Sequence, residues 1–436
     1  MAGSFYPQSG VVRRAQSVAP PPKGTPQPWA GLPRAVGLVA GDDAPRHAES
    51  IGGGTLPLYN CAASELGPRA RILDVGCGEG HGAEWLTRYY QCVLAIDRSP
   101  SAAASAARNA PRAEVRCADV GAASEVAISD AATCIDVLGY VPAPEELLAA
   151  LRAVISPDAM VFLAEPHAYP AQCLAPPVRR TFSHRSLTTL LTMAGYEIAR
   201  WVDAPSAFVS CLAAPIADGA AQWLTQGYLQ LAARALDDAL SSFERAEGSS
   251  RKPVQLEAAI GEAECFLSQR KRGAAIDAFL RARDLCPEDA RPLAGLARIA
   301  LARGELGDAV ELAKVAYRVD PTDVAAACAY AMVAEKAQPA DAKERWVRAT
   351  NLAPESFDIA LRLAQSAAAE QDYAVALWAV ERVRSYGHDH GVPMHVAIAT
   401  ALLGTGRVGD ALVEARRAEN MAPHDASVLA LLSALR

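Results

Sequence analysis

The stretch Ile72 to Gly82, ILDVGCGEGHG, limits this chain more than any other. It opens with apolar residues around an acid, Ile72-Leu73-Asp74-Val75, a composition that suits a buried parallel strand. Three alternating glycines follow, Gly76, Gly78 and Gly80, and then a helix-competent run from Ala83 to Arg88. The expectation is strand, glycine turn, helix. Such a turn lets a ligand lie against bare backbone, and the helix start offers unpaired N–H groups. A tight turn without a ligand has no need of three alternating glycines. A dinucleotide fingerprint wants Gly or Ala three residues after its second glycine, to let helix and strand pack closely. Counted from Gly76, that place holds the bulky His81.

The residues downstream extend the pattern. Gln91 to Asp97 predicts a second strand with an acid at its carboxyl end, 21 residues after Gly76. Ligands of doubly wound sheets bind beyond those ends, so Asp97 is placed to accept hydrogen bonds from ribose hydroxyls. A dinucleotide fold would put an acid in the same place, so Asp97 does not separate the two. Ala102 to Ala110 predicts a helix and Glu114 to Cys117 a third strand, followed by Ala118-Asp119-Val120. Asp130 to Pro142 reads as a fourth strand with its turn. Leu147, Leu148, Leu151 and Ile155 then form one face of a helix, broken at Ser156-Pro157-Asp158. Ala159 to Ala164 is a fifth strand closing in Glu165-Pro166-His167. A helix over Leu187 to Met193 and two strands, Tyr196 to Val202 and Phe208 to Ala213, complete this half.

The pattern D-x-G-x-G-x-G over Asp74 to Gly80 resembles motif I of the class I S-adenosylmethionine-dependent methyltransferases. The closing helix, Gly195-Tyr196 turn and strand pair are similar to the end of that fold, in its small-molecule, type 11 branch. The resemblance runs from about Leu58 to Pro215. It implies an α/β, Rossmann-like, seven-stranded domain with the last strand antiparallel beside the fifth, and S-adenosylmethionine as cofactor. It also implies roles. Asp74 would orient the turn or meet the cofactor's amino group, and Gly76, Gly78 and Gly80 would pass close to its amino-acid and ribose parts. Asp97 would bind the ribose, Asp119 with Val120 the adenine, and the backbone at Asp136 and Val137 the methionyl end. For a general base the candidates are Glu165, His167 and Tyr140, with His184 beside the next helix. Two departures bear on the acceptor side: Pro157-Asp158-Ala159 replaces the usual Pro-Gly-Gly, and Tyr140 stands where a histidine is common.

From Gln222 onward a second pattern takes over. Ala239, Ala275, Ala309, Ala342, Ala376 and Ala411 recur at intervals of 36, 34, 33, 34 and 35 residues. Positions four later (Phe243, Phe279, Ala313, Trp346, Val380, Ala415) and seven later (Ala246, Ala282, Ala316, Ala349, Val383, Ala418) keep the register. Pro287, Pro321, Pro354 and Pro423 stop four of the units. A period near 34 is that of tetratricopeptide helix hairpins. Six units and a capping helix over Ser427 to Leu435 are expected, an all-α solenoid suited to holding a protein or peptide.

These readings divide the chain into a proline-rich tail at 1–50, a methyltransferase domain at 51–217 and a repeat domain at 218–436. The tail carries Arg13, Arg14, Lys23, Arg34 and Arg46 and is expected to be solvated rather than folded. A net charge of −7 argues against a general nucleic-acid or anionic-membrane binder. The ten cysteines show no C-x-x-C spacing and sit mostly in apolar runs, which suits buried free thiols. No apolar run reaches membrane-spanning length and no signal-peptide core is visible, so a cytoplasmic protein is expected. His388-Asp389-His390 has no cysteine nearby and reads as a solvated loop, leaving no metal site. The functional expectation is methyl transfer to an acceptor that is a small molecule or a protein, with a protein partner on the repeats. The alternative is a scaffold that keeps the cofactor fold without catalysis. A chemotaxis-receptor methylase is not expected, because VGCGEG lacks the serine- and glutamate-rich run those enzymes resemble there and residues 1–50 are too short and proline-broken for their preceding helical domain.

Overall fold

The computed structural model describes residues 55–120, 128–168, 178–203, 207–217, 219–387 and 390–435. The tail at 1–50 with its basic residues, Cys173, and the pair His388-Asp389 lie outside the described residues.

The first half alternates helix and strand: α1 (Leu56–Leu66), β1 (Arg71–Val75), α2 (His81–Leu86), β2 (Cys92–Asp97), α3 (Pro100–Asn109), β3 (Glu114–Cys117), β4 (Ser129–Ile135), α4 (Pro144–Val154), β5 (Ile155–Pro166), α5 (His184–Met193), β6 (Tyr196–Trp201) and β7 (Phe208–Pro215). The seven strands form one sheet in the order β3-β2-β1-β4-β5-β7-β6. The first five are parallel, whereas β7 enters antiparallel between β5 and β6. This is the Rossmann-like methyltransferase topology that the sequence implied. The strand order reverses between β1 and β4, and a crevice opens at that switch point beyond the carboxyl ends.

Side chains alternate across the sheet and build a core on each face. Leu73, Val75, Val161 and Leu163 join one cluster with Leu148, Leu151 and Leu187. Ile72, Phe162 and Ala164 join the other with Leu58, Tyr59 and Leu86. Local chemistry sets the helix starts. Pro100 opens α3 behind Ser99, whose hydroxyl accepts from the Ala102 amide. Ser183 and Ser186 form a reciprocal capping box at α5. One boundary differs from expectation: β5 begins at Ile155, directly after α4, so Ser156-Pro157-Asp158 lies within the strand's irregular start. Among the nine described cysteines, none of them in a disulfide, Cys92 and Cys117 are exposed, which corrects the expectation for those two.

The second half is helical throughout: α6 (Gly219–Ala232), α7 (Leu236–Glu247), α8 (Lys252–Ser268), α9 (Arg272–Leu285), α10 (Ala290–Arg303), α11 (Leu306–Val319), α12 (Val324–Ala337), α13 (Pro339–Leu352), α14 (Phe357–Ala369), α15 (Tyr373–Ser385), α16 (Val392–Gly404), α17 (Val408–Met421) and α18 (Ala426–Ala434). Helices pair as six consecutive hairpins, with α18 closing the stack. Each registered alanine from Ala239 to Ala411 lies in a second helix and is at most 3% exposed. First helices carry their own register. Gly227 and Gly261 leave room for the Phe243 ring, and Gly295 for Phe279; a Cβ at Gly261 would come within 2.4 Å of the Phe243 ring. Among the described residues no helix is long and apolar enough to cross a membrane.

Candidate active site

The glycine turn is held open from three sides. Gly76, Gly78 and Gly80 have φ of 69°, 54° and 84°, the left-handed region that favours glycine. The Gly76 amide donates to the Ile96 carbonyl at 2.7 Å, tying the turn to β2. Gly80 meets α3 so closely that a Cβ there would lie 2.6 Å from the Ala106 Cα. Asp97 supplies the third tie: its carboxylate accepts from the Gly78 amide and from the Ser99 amide, both at 2.9 Å. Burial pushes Asp97 up from the ordinary carboxylate range, while these backbone bonds pull it back.

Asp74 sits beneath the turn. It is fully buried, accepting from the Tyr59 hydroxyl at 3.0 Å and from Thr133 Oγ1 at 2.7 Å. Burial raises its pKa to about 7 against those two bonds. Both its oxygens are thus engaged by Tyr59 and Thr133, side chains of α1 and β4. Tyr59 and Thr133 were not legible as site residues. The nearest signal was Gly82, whose missing side chain makes room for the Tyr59 ring.

Gly76, Asp97, Asp119, Val120, Val137 and Tyr140 line one cleft at the carboxyl edge, bringing together residues from β1, β2, β3 and β4. Asp119 is exposed at its rim and Val120 is buried. Asp136 stands at the end of β4 with φ of 58°, its amide bonded to the Ala164 carbonyl at 2.7 Å. Burial, reinforced by the Asp136 and Glu165 carboxylates, keeps the Tyr140 phenol protonated. Asp136 Oδ1 is buried without a hydrogen-bond partner among the described residues. Burial raises Asp136 to about 7.

Two of the three base candidates do not face this cleft. Glu165 is fully buried, and both its oxygens are engaged: Oε1 accepts from the Val137 and Leu138 amides at 3.0 and 2.9 Å, and Oε2 from the Gly139 amide at 3.2 Å. Burial, reinforced by Asp136, raises it to about 8. It is corrected from base candidate to buttress of the turn after β4. His167 is partly buried, its Nδ1 2.8 Å from the Ala168 carbonyl and its ring edge-on to His184, which packs on Trp201. Neither histidine lines the cleft. Glu165 and His167 stand at the carboxyl end of β5, yet the turn after β4 folds over Glu165 and claims it. Tyr140 alone of the three lines the cleft. Among the described residues no cluster of ligating side chains could hold a metal.

Residues 56–200 match a family model described as a methyltransferase domain. A ubiquinone biosynthesis O-methyltransferase of Xanthomonas campestris pv. campestris is 33% identical over 110 residues, which cover 24% of this chain and 46% of that protein. This chain thus spans about half the length of that curated relative. The 1,6-didemethyltoxoflavin-N1-methyltransferase of Burkholderia thailandensis, solved with 1,6-didemethyltoxoflavin and S-adenosylhomocysteine, overlays at a TM-score of 0.33 and 22% identity, covering 39% of this chain and 82% of that one. A thermophilic tetratricopeptide protein of Thermus thermophilus overlays at a TM-score of 0.32 and 20% identity, covering 41% of this chain and 98% of that one.

Proposed function

We propose that this chain, which carries a methyltransferase domain at residues 56–200, transfers a methyl group from S-adenosylmethionine to an acceptor, with the repeats as a protein-binding arm. The observation that carries the reading is the buried, unpartnered Oδ1 of Asp136 beside a cleft whose glycine turn is held open. A buried acceptor atom left unmade costs about 1–3 kcal/mol, and a cationic amino group placed there would satisfy it. The rest of the donor set fits the same ligand. Each Asp97 oxygen already accepts one backbone bond, and a carboxylate has about four acceptor positions, so capacity remains for two hydroxyls. Asp119 and Val120 offer an acceptor and an apolar wall at the other end of the cleft.

When bound, S-adenosylmethionine supplies a methyl group already activated on a sulfonium with a good leaving group. The chain's task is then to orient the two reactants and keep water out. Tyr140 stands close to the Asp136 carboxylate, and Glu165 holds the Val137, Leu138 and Gly139 amides of the turn between them. An acceptor deprotonated at neutral pH needs no base; Tyr140, the one base candidate that lines the cleft, keeps its phenol protonated and serves there as a hydrogen-bond donor rather than a base. We further propose the division 1–50, 51–217 and 218–436, supported by β7 ending at Pro215 and α6 beginning at Gly219. Asp97→Ala in the full chain is expected to weaken S-adenosylhomocysteine binding by about 1.5–3 kcal/mol in titration calorimetry, the range of a charge-linked hydrogen bond. Unchanged affinity would remove Asp97 from the site.

A further inference from the structure

The turn that carries Asp136, Val137 and Tyr140 is gripped on its far side by a short strap, residues 178–182. The Arg179 and Arg180 amides both donate to the Gly139 carbonyl, at 2.8 and 3.3 Å. Arg180 Nη2 donates to the Pro142 carbonyl at 3.0 Å, beyond the same turn. The approach leaves no room for a side chain: a Cβ on Gly139 would lie 2.9 Å from the Arg180 carbonyl oxygen. The strap is anchored to β5 through Phe182, whose amide donates to the Pro166 carbonyl at 2.9 Å.

The strap is held in turn by the repeats. Glu355, between α13 and α14, takes both guanidinium groups, with Oε2 on Arg179 and Oε1 2.9 Å from Arg180 Nη2. All three side chains are at most 26% exposed, so the pairs are shielded better than surface ion pairs. Tyr386, at the end of α15, donates its hydroxyl to the Val178 carbonyl at 2.7 Å, and its ring lies under the Arg179 guanidinium at 5.7 Å. A cavity of about 380 Å³ lies beside these bonds, lined by the strap, the start of α12 and the end of α13 with the turn after it. Directed polar bonds, rather than continuous apolar packing, therefore join the two halves here.

We infer that the repeats complete the active site: Glu355 and Tyr386 are positioning residues that press the strap onto Gly139 and so fix the turn bearing Asp136 and Tyr140. The turn is clamped from both sides, its amides by Glu165 and its carbonyl by the strap. Loosening the repeat side would leave the cleft's methionyl end free to shift, although no described repeat residue lines that cleft. The consequence for the cofactor rests on the proposed function.

The test uses the full chain carrying Glu355→Gln with Tyr386→Phe, and Tyr386→Phe alone as the milder variant. Amide hydrogen exchange is read on peptides covering 178–182 and 136–142, and S-adenosylhomocysteine affinity by calorimetry. Exchange of both peptides is expected to quicken roughly tenfold in the double variant, as charge-assisted bonds are lost. Affinity should fall at least about threefold, with Glu355→Asp restoring part of it. Faster exchange in the strap with an unchanged turn would overturn the inference and leave Glu355 a fastener between halves. Unchanged exchange in both peptides would overturn it as well. A wild-type chain that binds no S-adenosylhomocysteine contradicts the proposed function instead, and exchange at 136–142 still decides the clamp.

Discussion

Asp136 concentrates the chemistry of the site in one side chain. A carboxylate buried with one oxygen unsatisfied costs the fold stability, and it is retained where a ligand repays that cost. Asp136→Asn should therefore separate the two properties. S-adenosylhomocysteine affinity is expected to fall by about 1.5–3 kcal/mol, while the unfolding midpoint in denaturant stays level or rises. Loss of stability together with unchanged affinity would make Asp136 structural. The pH dependence has a definite sign. Asp74 and Asp136 are raised to about 7 and Glu165 to about 8, so between pH 4 and 8 the folded chain holds more protons than the unfolded one. Stability from these groups is then fully present below about pH 4 and lost progressively as pH rises to about 8. A cation beside Asp136 favours its ionised form, so ligand binding at pH 6.5 should release protons. That is read as a dependence of binding enthalpy on the ionisation enthalpy of the buffer.

At the scale of elements, short-range patterns were legible and long-range partnerships were not. The glycine turn, the strands with acids at their ends and the register of small residues are properties of a few adjacent residues, and each was readable. The period of the first helices, Gly227, Gly261 and Gly295 at intervals of 34, was present but hidden, because its meaning lies in the Phe243 and Phe279 rings it accommodates. Gly261→Ala should destabilise the chain by about 1–3 kcal/mol through overpacking against Phe243, and Phe243→Leu in the same chain should recover part of the loss. Denaturant midpoints of the three chains check this; a neutral Gly261→Ala would mean the hairpins yield without strain. Glu165 shows the limit on the site side. Its place at the end of β5 is the place of a ligand-facing acid, and only the folded turn reveals three amides already taking its oxygens.

At the scale of the whole molecule, the repeats return to the domain they follow. Thr225 of α6 donates to the Met193 carbonyl, Arg251 pairs with Glu197, and Glu355 and Tyr386 reach the strap across 175 and 208 residues of sequence. No pattern in the sequence announces contacts at that separation, since each partner lies outside the registered positions of the repeats and the strands. The arrangement sets the proposed cofactor cleft and the repeats in one body, so that the second bears on the first. The central claim is that the cleft beside Asp97 and Asp136 holds S-adenosylmethionine. The most direct measurement is titration calorimetry of the full chain with S-adenosylmethionine and with S-adenosylhomocysteine. The account predicts one site per chain for both ligands, with each displacing the other; a well-folded chain that binds neither would contradict it.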